Sequence, residues 1–350
     1  MGRVIDTAIL GFGYSARVFH APFIECNDKF KLCSVLERNS SHSKDLYPHI
    51  KVVKNLQEIL DAKDIDLVIV TTPNHSHFYY AEQLLKAGKN VIIEKPFTIT
   101  YGEAQCLTEL AEKNNLMLSV FHNRRWDGDF LTVKNIVKNR LLGELVEFES
   151  HFDRFRNYFK PNAWRESDLP GSGILYDLGP HLIDQALCLF GRPESLIADV
   201  RIQREGGKAD DNFEIILNYG RLKVTLKAGM LVKNRAPRFI LHGTEGAFVK
   251  YGLDPQENAL KNGISPLSAG WGSEPESQWG LLDSSIAGLN YYGKIKTIAG
   301  NYMEYFDNIY EAVTCNRSVL NVKPSEASEI IKIIELALES AAKGRRVLLS

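Results

Sequence analysis

The stretch Val91-Ile92-Ile93-Glu94-Lys95-Pro96-Phe97 constrains the rest of the chain more than any other. An unbroken β-branched run suits a strand covered on both faces, and Pro96 cannot donate to a ladder, so the pairing has to end there. Ligands of open α/β sheets bind just outside such strand ends, which puts Lys95 where chemistry is done. Taken alone, Glu94-Lys95 reads more simply as a solvated loop pair. The surrounding pattern decides between the two.

Upstream, Thr7-Ala8-Ile9-Leu10 reads as a strand entering Gly11-Phe12-Gly13-Tyr14-Ser15-Ala16, a dinucleotide fingerprint with alanine at its third small position. The first glycine permits a tight turn. The second lets backbone amides approach a pyrophosphate at the start of the next helix. Phe30 to Glu37 supplies a second strand ending on an acid, as a ribose contact requires. Glu37 would accept from ribose hydroxyls and repel a 2′-phosphate, whereas Arg38, with Asn39, Ser40 and Ser41 behind it, would cradle that phosphate. The donors favour NADP(H), with NAD(H) the alternative.

Asp66 to Val70 is a further buried strand, leading to Thr71-Thr72-Pro73-Asn74 at the same edge as Lys95 and then to a helix from about His77 to Ala87. His75 and His77 stand two apart with no thiol or carboxylate cluster beside them, so they read as helix-start residues and no metal is expected. Thr100 to Glu103 is a capping box opening a helix to about Lys113, and Leu116 to Val120 is another strand. Alternation of strand and helix over residues 6–120 predicts a doubly wound parallel sheet.

At Phe121-His122-Asn123-Arg124-Arg125-Trp126-Asp127 the pattern changes, and the domain boundary is placed there: 1–122 for the nucleotide domain, 123–350 for substrate binding and oligomerisation, the last helix a candidate to pack back on the first domain. Asn123, Arg124 and Trp126 either contact a polyhydroxylated or anionic substrate or form a surface ion pair with Asp127 beside a packed tryptophan. A helix of about Phe130 to Arg140 and a strand from Glu144 to Phe152 follow. The aromatic, basic segment Phe155 to Trp164 then suits a loop over the cleft, with Trp164 a substrate contact.

From Gly171 a helical period runs to Phe190 and stops at Gly191, so Asp177 and His181 share one face. They form either a catalytic pair or a histidine satisfied by a neighbouring carboxylate. Pro180 between them would free the Tyr176 carbonyl or mark a fresh helical start. Short-turned strands between Ser195 and Tyr251 predict a largely antiparallel sheet, giving an α+β second domain. Residues 252–300, rich in glycine, proline and serine, read as a long functional or subunit-contact loop, and helices at Tyr302 to Val313 and Ser325 to Lys343 close the chain.

Composition excludes several classes of partner. A net charge of −1 gives no bulk attraction to nucleic acid or acidic lipid. No segment approaches the ~18 apolar residues of a membrane span. Five scattered cysteines without a Cys-x-x-Cys spacing read as free thiols of a reducing compartment, so a cytoplasmic location is expected.

Gly11-Phe12-Gly13, Thr72-Pro73-Asn74, Glu94-Lys95-Pro96 and Asp177 through His181, in this order and spacing, resemble the glucose-fructose oxidoreductase/inositol dehydrogenase/rhizopine catabolism family of nicotinamide oxidoreductases across the whole chain. The runs His122 to Asp127, His151 to Phe155 and Gly252 to Glu257 look like its subgroup containing NADP-dependent scyllo-inositol dehydrogenases. The resemblance implies a Rossmann domain and an open-faced sheet used for dimer or tetramer contacts. It also implies cofactor contacts from Gly11 to Ala16, Glu37, Arg38, Thr71 to Asn74, His77, Glu94 and Lys95, and a catalytic set of Lys95, Asp177 and His181. Ala16 and Pro180 depart from the family pattern. The expected reaction is reversible hydride transfer to or from the carbinol carbon of a sugar, cyclitol or related alcohol. Lys95 would stabilise the alkoxide, His181 move the proton, and Asp177 orient the histidine or a substrate hydroxyl. The rival readings are a cofactor-binding regulator without catalysis, and an enzyme that uses bound cofactor transiently for hydrolysis or epimerisation.

Overall fold

The computed structural model describes residues 3–161, 163–286 and 288–349. Buried β-branched runs alternate with helices through β1 (Ile5–Leu10), a π-wound turn (Ala16–His20), α1 (Ala21–Cys26), β2 (Phe30–Leu36), α2 (His42–Leu46), β3 (Lys51–Val53), α3 (Gln57–Leu60), β4 (Leu67–Val70), α4 (His77–Lys86), β5 (Asn90–Ile93), α5 (Tyr101–Lys113) and β6 (Leu118–Val120). Among the described residues these strands pair in parallel in the order β3-β2-β1-β4-β5-β6. The order reverses at β1 and β4, the topological switch point where such sheets bind ligands. Leu67 to Val70 and Val91 to Ile93 are fully buried, as strands covered on both faces must be. The Thr100 hydroxyl accepts from the Glu103 amide while the Glu103 carboxylate accepts from the Thr100 amide, which fixes where α5 begins.

The remaining elements are α6 (Gly128–Lys138), β7 (Leu145–His151), α7 (Ile174–Phe190), β8 (Ser195–Arg201), β9 (Asn212–Tyr219), β10 (Leu222–Gly229), β11 (Phe239–Gly243), β12 (Gly246–Lys250), α8 (Gln256–Lys261), β13 (Gly280–Ile286), β14 (Leu289–Ile295), α9 (Met303–Thr314), α10 (Pro324–Lys343) and β15 (Val347–Leu348). Among the described residues the second sheet runs β14-β13-β12-β11-β7-β10-β9-β8-β15, antiparallel apart from the parallel pair β7 and β10. One face is apolar, with Phe148, Phe213, Ile215, Val224 and Leu241 buried, and α7 packs on β9 and β10. α7 passes through Pro180 without a new start.

The expectation of one long loop over 252–300 is wrong: α8 and the β13–β14 hairpin lie there. A hairpin at a sheet edge has to bury little, and β14 is exposed along most of its length, so the apolar alternation that announces a strand is absent. By packing, the chain divides into two compact units. Residues up to Asn123, Gln256–Trp271 and Asn301–Ile331 form the first; Arg124–Pro255, Gly272–Gly300 and residues from Lys332 on form the second. Aromatic contacts explain why α9 belongs to the first unit. Phe306 stacks on Phe23 at 5.2 Å between ring centroids, and Tyr305 meets Phe121 edge-on at 4.9 Å. No helix among the described residues is long and apolar enough to cross a membrane.

Candidate active site

In the first unit the strand exits are tied to one another through their side chains. Gly11 leaves β1 with φ +88°, a conformation that L side chains rarely adopt, so the turn favours glycine. The Thr71 hydroxyl donates to the carbonyls of Leu10 (3.0 Å) and Gly11 (3.2 Å), joining the exits of β1 and β4. His77 has Nδ1 2.9 Å from the Pro96 carbonyl and Nε2 2.9 Å from the Thr72 carbonyl. Burial pushes its imidazole below the usual range, so the ring is neutral and its single N–H donates to one of the two carbonyls. Both ring nitrogens of His77 face backbone carbonyls of the loops after β4 and β5.

The Glu94 carboxylate, 8% exposed, joins the fingerprint to Lys95. It accepts from the Ser15 hydroxyl, from His20 Nε2 at 2.8 Å and from the Lys95 amide at 3.1 Å. Burial opposes its ionisation, but the bonds from His20 and Ser15 and the Lys95 charge outweigh it and hold the acid below the usual carboxylate range. His20 reaches Glu94 because the helix is wound wide there. Pro22 supplies no N–H, and the Ala21 amide bonds back five residues to the Ala16 carbonyl.

Glu37 does not present a free carboxylate. Its two oxygens accept from the Ser40 hydroxyl (2.6 Å), the His42 amide (3.0 Å), and the amide (2.8 Å) and hydroxyl of Ser43. Burial would raise this carboxyl, yet the four donors keep it below the usual range. Lys54 Nζ donates to the carbonyls of Glu37 and Ser40 and to the Ser41 hydroxyl, while Arg38 is exposed with no ion-pair partner among the described residues. Elsewhere in the fingerprint, Tyr14 donates to Glu257 of α8 at 3.0 Å, Phe12 lies edge-on to Tyr47, and Ala16 is buried. Asn74 is buried, and Pro73 precedes the turn that starts α4.

In the second unit α7 presents Asp177, His181 and Asp184 on one face. Asp177 lies 3.5 Å from Arg154 Nη1 and 3.3 Å from Arg165 Nε. The His181 ring stacks on Phe152 at 6.3 Å. Asp184 takes a fork of bonds from Arg125, at 2.6 Å from Nη2 and 3.0 Å from Nε. Gln185 donates to the Arg124 carbonyl at 2.9 Å and accepts from the buried Arg238 at 2.7 Å. These bonds fix the rotation of α7 and with it the direction of His181.

Arg124 pairs with Asp127 at 3.1 Å, and Trp126 is 6% exposed. The ion pair expected at the surface is therefore buried. Asn123, in the first unit, is also buried. Trp164 sits on a loop pinned to the start of α7: its carbonyl takes the Ser172 hydroxyl at 2.9 Å, and the Arg165 carbonyl takes the Gly173 amide at 2.8 Å.

Sequence reading missed His20, Arg154, Arg165 and Asp210. Asp210 caps α7, its carboxylate 2.7 Å from the Leu175 amide, and burial pushes it up to about 6. Among the described residues no three His, Cys, Asp or Glu side chains are grouped to hold a metal.

A dinucleotide fits the first unit, since Gly11 holds the positive φ of a tight turn and the following helical turn offers the unbonded amides of any helix start. Comparison with known proteins agrees. Residues 5–122 match the model of an oxidoreductase family NAD-binding Rossmann fold, and residues 134–349 match that family's C-terminal alpha/beta domain. An uncharacterized oxidoreductase of Escherichia coli, YdgJ, is 41% identical over 97% of both chains. The scyllo-inositol 2-dehydrogenase (NADP(+)) IolW of Bacillus subtilis is 36% identical over 99% of this chain and 97% of its own. The crystal structure of a putative oxidoreductase from Bacteroides fragilis superposes with a TM-score of 0.91 at 45% identity, covering 99% of this chain and 100% of the other.

Proposed function

The chain belongs to the glucose-fructose oxidoreductase/inositol dehydrogenase/rhizopine catabolism (Gfo/Idh/MocA) oxidoreductase family, and on that premise we propose that it is an NAD(P)-dependent dehydrogenase of CH–OH groups acting on a sugar, cyclitol or related alcohol. The observation that carries this reading is the Glu94 junction. One buried, ionised carboxylate holds Ser15 of the fingerprint and the Lys95 backbone together, which fixes the base of the lysine relative to the dinucleotide loop. The bound nicotinamide supplies the hydride chemistry. Gly11 to Ala16, Thr71 to Asn74 and Glu94 hold and orient it. Lys95 offsets the charge that develops on the substrate oxygen, and a ring nitrogen of His181 takes the hydroxyl proton in oxidation and returns it in reduction. Asp177, steadied by Arg154 and Arg165, receives substrate hydroxyls.

NADP(H) is the preferred cofactor in this reading. The acid that would bind both ribose hydroxyls is spent on residues 40–43, and Arg38 and Lys54 stand beside it. The IolW relative, named for NADP(+) and scyllo-inositol, supports both the cofactor and a cyclitol-like substrate. The chain also self-associates through its second sheet and works in the cytoplasm, where its five free thiols stay reduced.

Absorbance of reduced nicotinamide, followed across inositols, sugars and small carbonyls with each cofactor, tests the reading. NADP(H)-dependent turnover of a polyol is expected, with Lys95→Ala lowering kcat/KM by about a hundredfold or more. Lys95→Ala turning over a proven substrate at the native rate would remove the assignment.

A further inference from the structure

The second unit carries an open cleft that none of these steps uses, with a volume of about 560 Å³, walled by Phe159, Trp164, Lys160 and Lys208. Phe159 is 39% exposed, with the Arg204 guanidinium 4.4 Å from its ring centroid on one side. Trp164 is half-buried, with Arg165 4.5 Å from its ring. Glu166, the acid of the cleft, lies 3.3 Å from Arg204, which also pairs with Asp211 at 2.9 Å, and accepts from the Lys160 amide at 2.7 Å. Lys160 and Lys208 are exposed, and neither ammonium has an ion-pair partner among the described residues. The cleft therefore offers aromatic walls to the C–H faces of a sugar ring and two exposed ammonium groups, against the single carboxylate of Glu166, to an anion.

Its position gives the ligand a direction. The bonds from Ser172 to the Trp164 carbonyl and from Gly173 to the Arg165 carbonyl fasten the cleft wall to the residues that open α7, whose first turn carries Asp177. Arg165, between Trp164 and Glu166 in the chain, reaches Asp177 at 3.3 Å.

We propose that this cleft is a subsite for the carboxylate or phosphate of an acidic carbohydrate, a sugar acid or sugar phosphate, whose carbinol end is handled at Asp177 and His181. The second clause rests on the dehydrogenase reading; the anion subsite does not.

Tryptophan fluorescence of the full chain is titrated with glucose, glucuronate and glucose 6-phosphate, and kcat/KM is measured for the same three with cofactor. The acids are expected to bind at least about tenfold more tightly than glucose, with a preference that shrinks as salt rises. Lys160→Ala with Lys208→Ala cuts the affinity for the acids about tenfold more than that for glucose. Lys208→Glu, checked for an unchanged melting temperature, shows the same loss with weaker salt dependence. A stronger response to glucuronate assigns a sugar acid, and to the phosphate a sugar phosphate. Equal affinity for all three, or a preference that survives both lysine variants, overturns the subsite even where neutral polyols turn over. Lysine-dependent acid binding without turnover of any compound upholds the subsite and removes the dehydrogenase reading.

Discussion

Glu94 is a buried carboxylate and Asp210 a half-buried one, and their surroundings push them in opposite directions. Glu94 is held ionised, so it contributes stability above its unfolded pKa of about 4.3 and loses it as pH falls through the lower folded value. Glu94→Gln puts an amide where three donors converge. It is expected to cost about 2–3 kcal/mol in urea unfolding at pH 7, to flatten the acid limb of the stability profile, and to lower kcat/KM by loosening Lys95. A variant with native stability and a native acid limb would show that the carboxylate is not ionised in the fold. Asp210 runs the other way. With a folded value of about 6 against about 3.9 unfolded, its contribution is complete below pH 4 and is lost as pH rises to 6. Asp210→Asn keeps an acceptor for the Leu175 amide without a charge to bury. Relative to the native chain it should gain on the order of 2–3 kcal/mol between pH 4 and pH 7, and parallel unfolding profiles would refute this.

α7 shows what an element owes to the residue that opens it. Gly173 has φ +88°, and a Cβ there would lie 1.8 Å from an Asp210 carboxylate oxygen, so Gly173→Ala meets both backbone strain and a clash with the helix cap. A loss of about 2–4 kcal/mol is expected in thermal or urea unfolding; a loss under about 0.5 kcal/mol would mean that the cap moves aside at little cost. α7 was legible in the sequence because its apolar period runs unbroken to Gly191, and β5 because a β-branched run ends on a proline. Both signals are local. His20 was not legible, since its partner Glu94 lies 74 residues away and the wide turn that aims it comes from a bond spanning five residues. Arg154 and Arg165 lie in a segment without periodicity, so nothing local announces that both reach Asp177. Glu37 directly follows β2, close to where the acidic strand end is expected, but Ser40, expected in a phosphate cradle with Asn39 and Ser41, donates instead to the Glu37 carboxylate, as does Ser43, for which the sequence carries no signal. The β13–β14 hairpin escaped because exposed edge strands need no apolar face.

For the molecule as a whole, the register of the second sheet sets the last prediction. Cross-strand partners on its half-exposed face follow one another as Ile197, Ile216, Thr225, Glu149, Ile240, Val249 and Leu281. Ile197 is 37% exposed and Leu281 36%, so an apolar row crosses the sheet and is interrupted by Thr225 and Glu149. On either side of it run ion pairs between Lys223 and Glu147 and between Lys227 and Glu214. An apolar centre with a charged rim is the make-up of a specific protein interface, and a second copy fits it because a two-fold axis would set the same row against itself. A net charge of −1 adds little self-repulsion. Light scattering should therefore give at least twice the 39.5 kDa of one chain at micromolar concentration. Ile240→Lys with Leu281→Glu places two charges in the row while leaving the buried face untouched, and should yield a monomer with native circular dichroism. A native chain that runs as a monomer at that concentration would leave the row uncovered and end the interface reading.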